Sequence, residues 1–242
     1  MDERPIQTPS SVAFTYDWYR SWLDRIEAAG YEFQTFPNGA DDGEVLLRHD
    51  VDLSLASALT MARIEAERGV EATYCILLTS PLYNPLERAH RDKIRAISSM
   101  GHDIALHFST HEYWDASENA ARSSVADRVA AERDVLGTIL PDPPETVSFH
   151  IPPSWVLGRT FEEFESTYRA AHFSDIEYVA DSGQRWREEP PSLPSDGGPI
   201  QILTHPGLWG EDDTDFGTCV DESVSGACQH ASEKATREFL DV

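Results

Sequence analysis

Lysine is almost missing from this 242-residue chain: Lys93 and Lys234 are the only two. Lys and Arg together number 19 against 43 Asp and Glu, a formal net charge of −24. Nucleic acid is excluded as an expected partner, because phosphate backbones reward clustered positive charge and none is visible. A lysine-poor, acidic surface is expected of a halophilic protein, whose salty solvent screens self-repulsion; the fold would then loosen in dilute buffer. An ordinary acidic, solvated surface is the competing explanation.

Cysteine is scarce too. Cys75, Cys219 and Cys228 are too few and too scattered for a disulfide scaffold. Cys75 falls in the apolar run 72–78 and is expected to pack as a small buried hydrophobe, while Cys219 and Cys228 either pair or remain free thiols, free being expected in a cytoplasm. No run approaches the roughly 20 apolar residues of a membrane span. The start, Met1-Asp-Glu-Arg-Pro5, lacks a basic segment followed by an apolar one, so a cytoplasmic location is expected. Neither a dinucleotide-binding nor a P-loop glycine pattern occurs, and there is no internal repeat.

What is present is a sufficient core, 40% hydrophobic residues, arranged as alternating strand and helix patterns. Helices are predicted at 16–29, 55–68, 86–100, 118–140, 161–171 and 222–240, and strands at 45–51, 72–77, 103–106, 147–149, 176–180 and 200–204. Single strands separated by helices imply crossover connections and a parallel sheet. The expected fold is α/β, a single-domain, distorted and incomplete (β/α) barrel over 1–242, with an N-terminal helix at 16–29 and an acidic segment at 211–242. A doubly wound open sheet is the runner-up.

The chemistry-bearing residues close these strands. Asp50 and Asp52 follow one apolar run, and His107 and His111 follow another, at the strand ends that form the mouth of the site in such barrels. Two imidazoles and one carboxylate suit a borderline divalent metal such as zinc, leaving the other aspartate free as a base. Alternation puts Arg48, Asp50 and Asp52 on one face of the strand and His49 on the other. For Asp52 alone, capping of the next helix competes with the metal role. For His107 and His111, two unrelated surface histidines compete, and for His205, ending the 200–204 strand, a hydrogen-bonded rim histidine competes with acid–base work.

In order along the chain stand Arg48-His49-Asp50-Val51-Asp52, Glu71-Ala-Thr-Tyr-Cys-Ile76 and Gly101-His-Asp-Ile-Ala-Leu-His107-Phe-Ser-Thr-His111. Ser148-Phe-His-Ile-Pro-Pro153, Ala180-Asp-Ser-Gly-Gln-Arg-Trp186 and Ile202-Leu-Thr-His205 follow. This ordered set, within a core at 44–209, resembles the polysaccharide deacetylase superfamily (NodB-like, carbohydrate esterase family four). Its Asp-Val-Asp form is more similar to the branch found with surface-polysaccharide synthesis than to chitin deacetylases.

The resemblance implies a seven-stranded variant of the TIM barrel. It also implies Asp50 as catalytic base, Asp52, His107 and His111 as metal ligands, His205 as catalytic acid and Asp181 as the carboxylate orienting it. Trp186 matches an aromatic of the pocket wall, and Trp114 is a further loop aromatic expected at the substrate. The implied cofactor is a divalent metal, zinc first, with cobalt, nickel or manganese as alternatives; the implied substrate is an N-acetylated sugar. One departure stands out: the family's arginine partner of the base is replaced by His150 and Ile151, so Arg48 or His150 is expected within hydrogen-bond reach of Asp50, and both are expected among the residues that contact substrate. The implied activity is a metal-dependent N-deacetylase of surface-polysaccharide or glycoconjugate intermediates. A sugar deformylase and a catalytically silent carbohydrate-binding barrel are the alternatives.

Overall fold

All six segments whose patterns predict strands enter one parallel sheet. The computed structural model describes residues 11–114 and 118–240. The N-terminal start from which a location was expected, and the ends of the 1–242 domain, lie outside the described residues.

The order of elements is α1 (Tyr16–Ala28), β1 (Glu32–Gln34), β2 (Glu44–Val51), α2 (Leu55–Ala66), β3 (Thr73–Leu77), α3 (Arg88–Ser99) and β4 (Asp103–Ser109). There follow α4 (Glu118–Gly137), β5 (Thr146–His150), β6 (Glu165–Ser166), α5 (Ala170–Phe173), β7 (Glu177–Ala180), β8 (Ile200–Thr204) and α6 (Phe216–Phe239). The sheet runs β6-β5-β4-β3-β2-β8-β7, and every pairing in it is parallel. β1 adds to the lower part of β2, at Glu44–Leu46, below the stretch that pairs with β3. β6 and β7 end the path without pairing, so the curled sheet is an incomplete α/β barrel with a seam between them. Burial on both faces explains why β2, β3 and β8 read as continuous apolar runs rather than alternating ones.

Helix ends follow local chemistry. Ser54 caps α2, its Oγ accepting from the Ser57 N–H at 3.1 Å, which releases Asp52 from the capping role that competed for it. Gly69 and Gly101 take left-handed backbone, φ 71° and 102°, where α2 and α3 must turn into β3 and β4.

The predicted helix at 161–171 is not there: that stretch holds β6 and runs into the short α5. Phe161, Phe164 and Tyr168 have helical spacing. They bury instead as a turn and short strand, with Phe161 stacked on Phe149 at 5.8 Å and the Thr167 N–H bonded to Val147 O on the free edge of β5. An unpaired strand edge outcompeted local periodicity. The last helix starts earlier than predicted, at Phe216 under an Asp215 cap.

On the outer face of β2 lies a buried polar cluster. Glu65 of α2 accepts from the hydroxyls of Tyr19 (2.5 Å) and Tyr74 (2.7 Å), and His49 Nε2 lies 2.8 Å from its Oε1. Burial pushes the Glu65 carboxyl up, but His49, His102 and Tyr19 outweigh it and hold the pKa below its usual value. His49 Nδ1 meets Thr204 Oγ1 at 2.6 Å, tying β2 to β8 one residue before Asp50 and His205. Cys75 and Cys219 are buried and Cys228 is exposed, all three as free thiols. Among the described residues no helix is long and apolar enough to cross a membrane.

Candidate active site

The C-terminal ends of β2, β4, β5, β7 and β8 deliver Asp50, Asp52, His107, His150, Asp181 and His205 to one end of the barrel. They reach it because parallel strands present their last residues on the same side. Asp50, Asp52, His107, His150 and His205 line one cleft of about 350 Å3 there.

Asp50 is fixed from its own strand. Arg48 Nε donates to its Oδ1 at 2.8 Å and Arg48 Nη2 to its Oδ2 at 2.7 Å. Arg48 is wholly buried, and its other contacts are Gln201 Oε1 (3.1 Å), Ser148 Oγ (2.5 Å) and the Tyr168 hydroxyl (2.8 Å). Burial pushes the Asp50 carboxyl up, but the Arg48 guanidinium and then His107 outweigh it, and the pKa is lowered to about 2. The guanidinium beside Asp50 thus comes from two residues upstream on its own strand, on the face that alternation assigned it, and His150 makes no such contact.

Three donor atoms gather beside Asp50. His107 Nε2 lies 3.1 Å from Asp52 Oδ1, His150 Nδ1 lies 3.2 Å from the same oxygen, and the two nitrogens are 3.3 Å apart. This Asp52–His107–His150 trio forms the one group of potential metal ligands among the described residues. A tetrahedral zinc site, with bonds of about 2.0–2.1 Å, separates its ligand atoms by about 3.3 Å, so the trio matches that spacing. His107 Nδ1 donates to Ser148 Oγ at 3.0 Å, which leaves the Nε2 lone pair facing the trio. Ser148 in turn donates to Asp50 Oδ1 at 3.2 Å. Asp52 Oδ1 is buried without a well-aligned hydrogen bond, an orphan that a cation would satisfy. The residues present therefore fit a divalent metal.

His111 does not join this group. It sits exposed in a 3-10 turn after β4, its Nε2 3.2 Å from Ile151 O. Spacing of four residues puts two histidines on one face only in an α-helix, and His107 is still in the strand. The structure puts His150, expected from sequence at the substrate or the base, in the third position instead.

His205 and Asp181 form the opposite wall. His205 Nδ1 donates to Asp181 Oδ1 at 2.6 Å, and its backbone N–H donates to Oδ2 at 3.0 Å. The Trp209 indole N–H also donates to Oδ2, at 2.8 Å. No sequence motif announces this third donor, which comes from a loop five residues past the end of β8. His205 Nε2 points inward, 3.9 Å from Asp52 Oδ2. Burial lowers the His205 pKa, but the Asp181 carboxylate outweighs it and raises it to about 9. The imidazole is therefore a proton donor at neutral pH.

Two expected aromatics are elsewhere. Trp186 is 2% exposed and packs in the core against Trp18 and Trp209, with ring centroids 6.3 and 6.0 Å away. Trp114 packs on Phe108 and Tyr113 at 6.3 and 5.5 Å. Neither lines the cleft. Large aromatic surface was worth more in the core than at the rim.

No family model matches the chain, and no curated protein does. Solved structures do resemble it. A chitin deacetylase from Colletotrichum lindemuthianum shares 13% identity at TM-score 0.46, over 78% of this chain and 84% of its own. The peptidoglycan deacetylase PdaC from Bacillus subtilis shares 10% at 0.43, over 81% and 96%. A carbohydrate esterase family 4 pseudoenzyme from Bacillus anthracis shares 13% at 0.41, over 78% and 60%. At such identities function must be argued from this chain's own side chains.

Proposed function

We propose that this cleft hydrolyses the amide of an N-acylated sugar, with the metal held by Asp52, His107 and His150. The observation that carries the reading is the placement of a clamped carboxylate, Asp50, and a charged imidazole, His205, on either side of the three-donor trio. A divalent ion bound there supplies acidified water and a polarised carbonyl. Asp50, ionised at neutral pH, accepts a proton from the attacking water. His205 delivers one to the leaving nitrogen, which cannot depart as an anion. Asp181, held by three N–H donors, fixes the His205 ring so that Nε2 carries the proton inward. An intermediate of surface-polysaccharide or glycoconjugate synthesis is the substrate class we favour, on the Asp-Val-Asp form of the motif.

Release of the carboxylic acid from N-acyl hexosamines, measured with added zinc and with chelator, tests the reading together with elemental analysis. Metal-dependent release is expected; bound metal without release from any substrate would overturn it. A second reading, a catalytically silent carbohydrate-binding barrel, has one observation in its favour. A carboxylate whose pKa is lowered to about 2 is a weak base. It predicts sugar binding with no hydrolysis.

A further inference from the structure

We infer that the acyl group this cleft accepts is uncharged and longer than acetyl, lying along a wall made by Phe149, Ile151, Pro152 and Leu157. The inference rests on the hydrolase reading above for the orientation of the amide. His205 faces the leaving nitrogen. Asp52 separates it from His150, with Oδ2 3.9 Å from His205 Nε2 and Oδ1 3.2 Å from His150 Nδ1. The acyl side of the carbonyl therefore faces His150, where β5 ends and the chain runs on through Ile151 and Pro152 to Leu157.

That side is apolar, and its lip is unusually exposed. Ile151 is 65% and Leu157 39% exposed, and both line the cleft. Ile151 also takes a left-handed backbone, φ 46°, which a β-branched residue adopts only when its surroundings impose it. Below the lip the cleft continues past Phe149 and Leu203 toward the seam, where Phe173 packs against Tyr168 and Tyr178 at 5.3 and 4.9 Å. The cleft of about 350 Å3 has room for a hexosamine ring together with several methylenes. The wall of Phe149, Ile151, Pro152 and Leu157 carries no lysine or arginine, so a carboxylate at the end of the acyl chain would lose water there without gaining a partner.

The test uses the zinc-loaded full chain with N-acetyl-, N-butyryl-, N-hexanoyl- and N-succinylglucosamine, following turnover and, by NMR titration, binding. The two extra methylenes of butyryl should raise kcat/KM about tenfold over acetyl, at about 0.8 kcal/mol per buried methylene. Succinyl should fall below acetyl. Leu157→Asp, a half-exposed position whose folding is checked by melting, should lower the butyryl-to-acetyl ratio several-fold. Acetyl turned over best, or a ratio unmoved by Leu157→Asp, overturns the inference and leaves the hydrolase reading standing. Binding that strengthens with acyl length without any hydrolysis supports the acyl wall and removes the hydrolase reading. Binding indifferent to acyl length, again without hydrolysis, removes both.

Discussion

Arg48 grips both carboxylate oxygens of Asp50 from two residues upstream on the same strand, at 2.8 and 2.7 Å, with Arg48 wholly buried and Asp50 just reaching the cleft. A strand repeats every two residues, so the clamp costs no long-range contact to assemble. Arg48→Lys keeps the charge and loses the fork. Losing the fork and the donors to Gln201, Ser148 and Tyr168 should destabilise the fold by about 1–3 kcal/mol. Turnover should fall roughly 100-fold as Asp50 loses its fixed position. Denaturant titration and acid-release kinetics read the two effects; unchanged turnover would remove Arg48 from the machinery.

The two histidines competing for the third ligand position give opposite expectations. His150→Ala should weaken zinc binding by more than about 100-fold, whereas His111→Ala should change it only a few-fold. Competition with a chromogenic chelator measures both. The reverse order would give the position to His111.

Proton supply from His205 sets an alkaline limit. Its pKa is about 9, raised because the Asp181 charge outweighs burial, so the proton is present at neutral pH and lost as pH rises through that value. In Asp181→Asn the alkaline limb of kcat/KM should move down by about one unit or more, and the rate at neutral pH should fall roughly 10²–10⁴-fold. A limb that stays in place would mean another group sets it.

Asp103, at the far end of β4, carries a stability expectation independent of the site. Burial raises its pKa to about 6, so the folded state holds its proton more tightly than the unfolded chain. Its contribution is complete below the ordinary aspartate value and is lost as pH rises through about 6. Asp103→Asn should therefore stabilise the protein at about pH 7.5 by roughly 1–2 kcal/mol, and not at about pH 4. Melting curves at the two pH values decide.

The net charge of −24 makes a last expectation concrete. If self-repulsion limits the fold, the melting temperature should rise as salt goes from about 0.1 M to about 2 M, where the screening length shrinks to a few ångströms. A flat response would assign the acidic excess to ordinary solvation.

By itself, the sequence determined six of the eight strands, their parallel direction, and the delivery of Asp50, Asp52, His107, Asp181 and His205 to the strand ends. Those features follow from local apolar runs and a period of two, which neighbouring residues set alone. Only the tertiary structure put His150 rather than His111 beside Asp52 and His107, because β5 pairs directly with β4 while the turn after β4 carries His111 away. It also decided that Trp186 packs in the core and that Trp209 steadies Asp181. The helical spacing at 161–171 yielded to the free edge of β5 for the same reason. Packing and hydrogen-bond partners distant along the chain outweigh local pattern wherever a buried edge or polar atom must be satisfied.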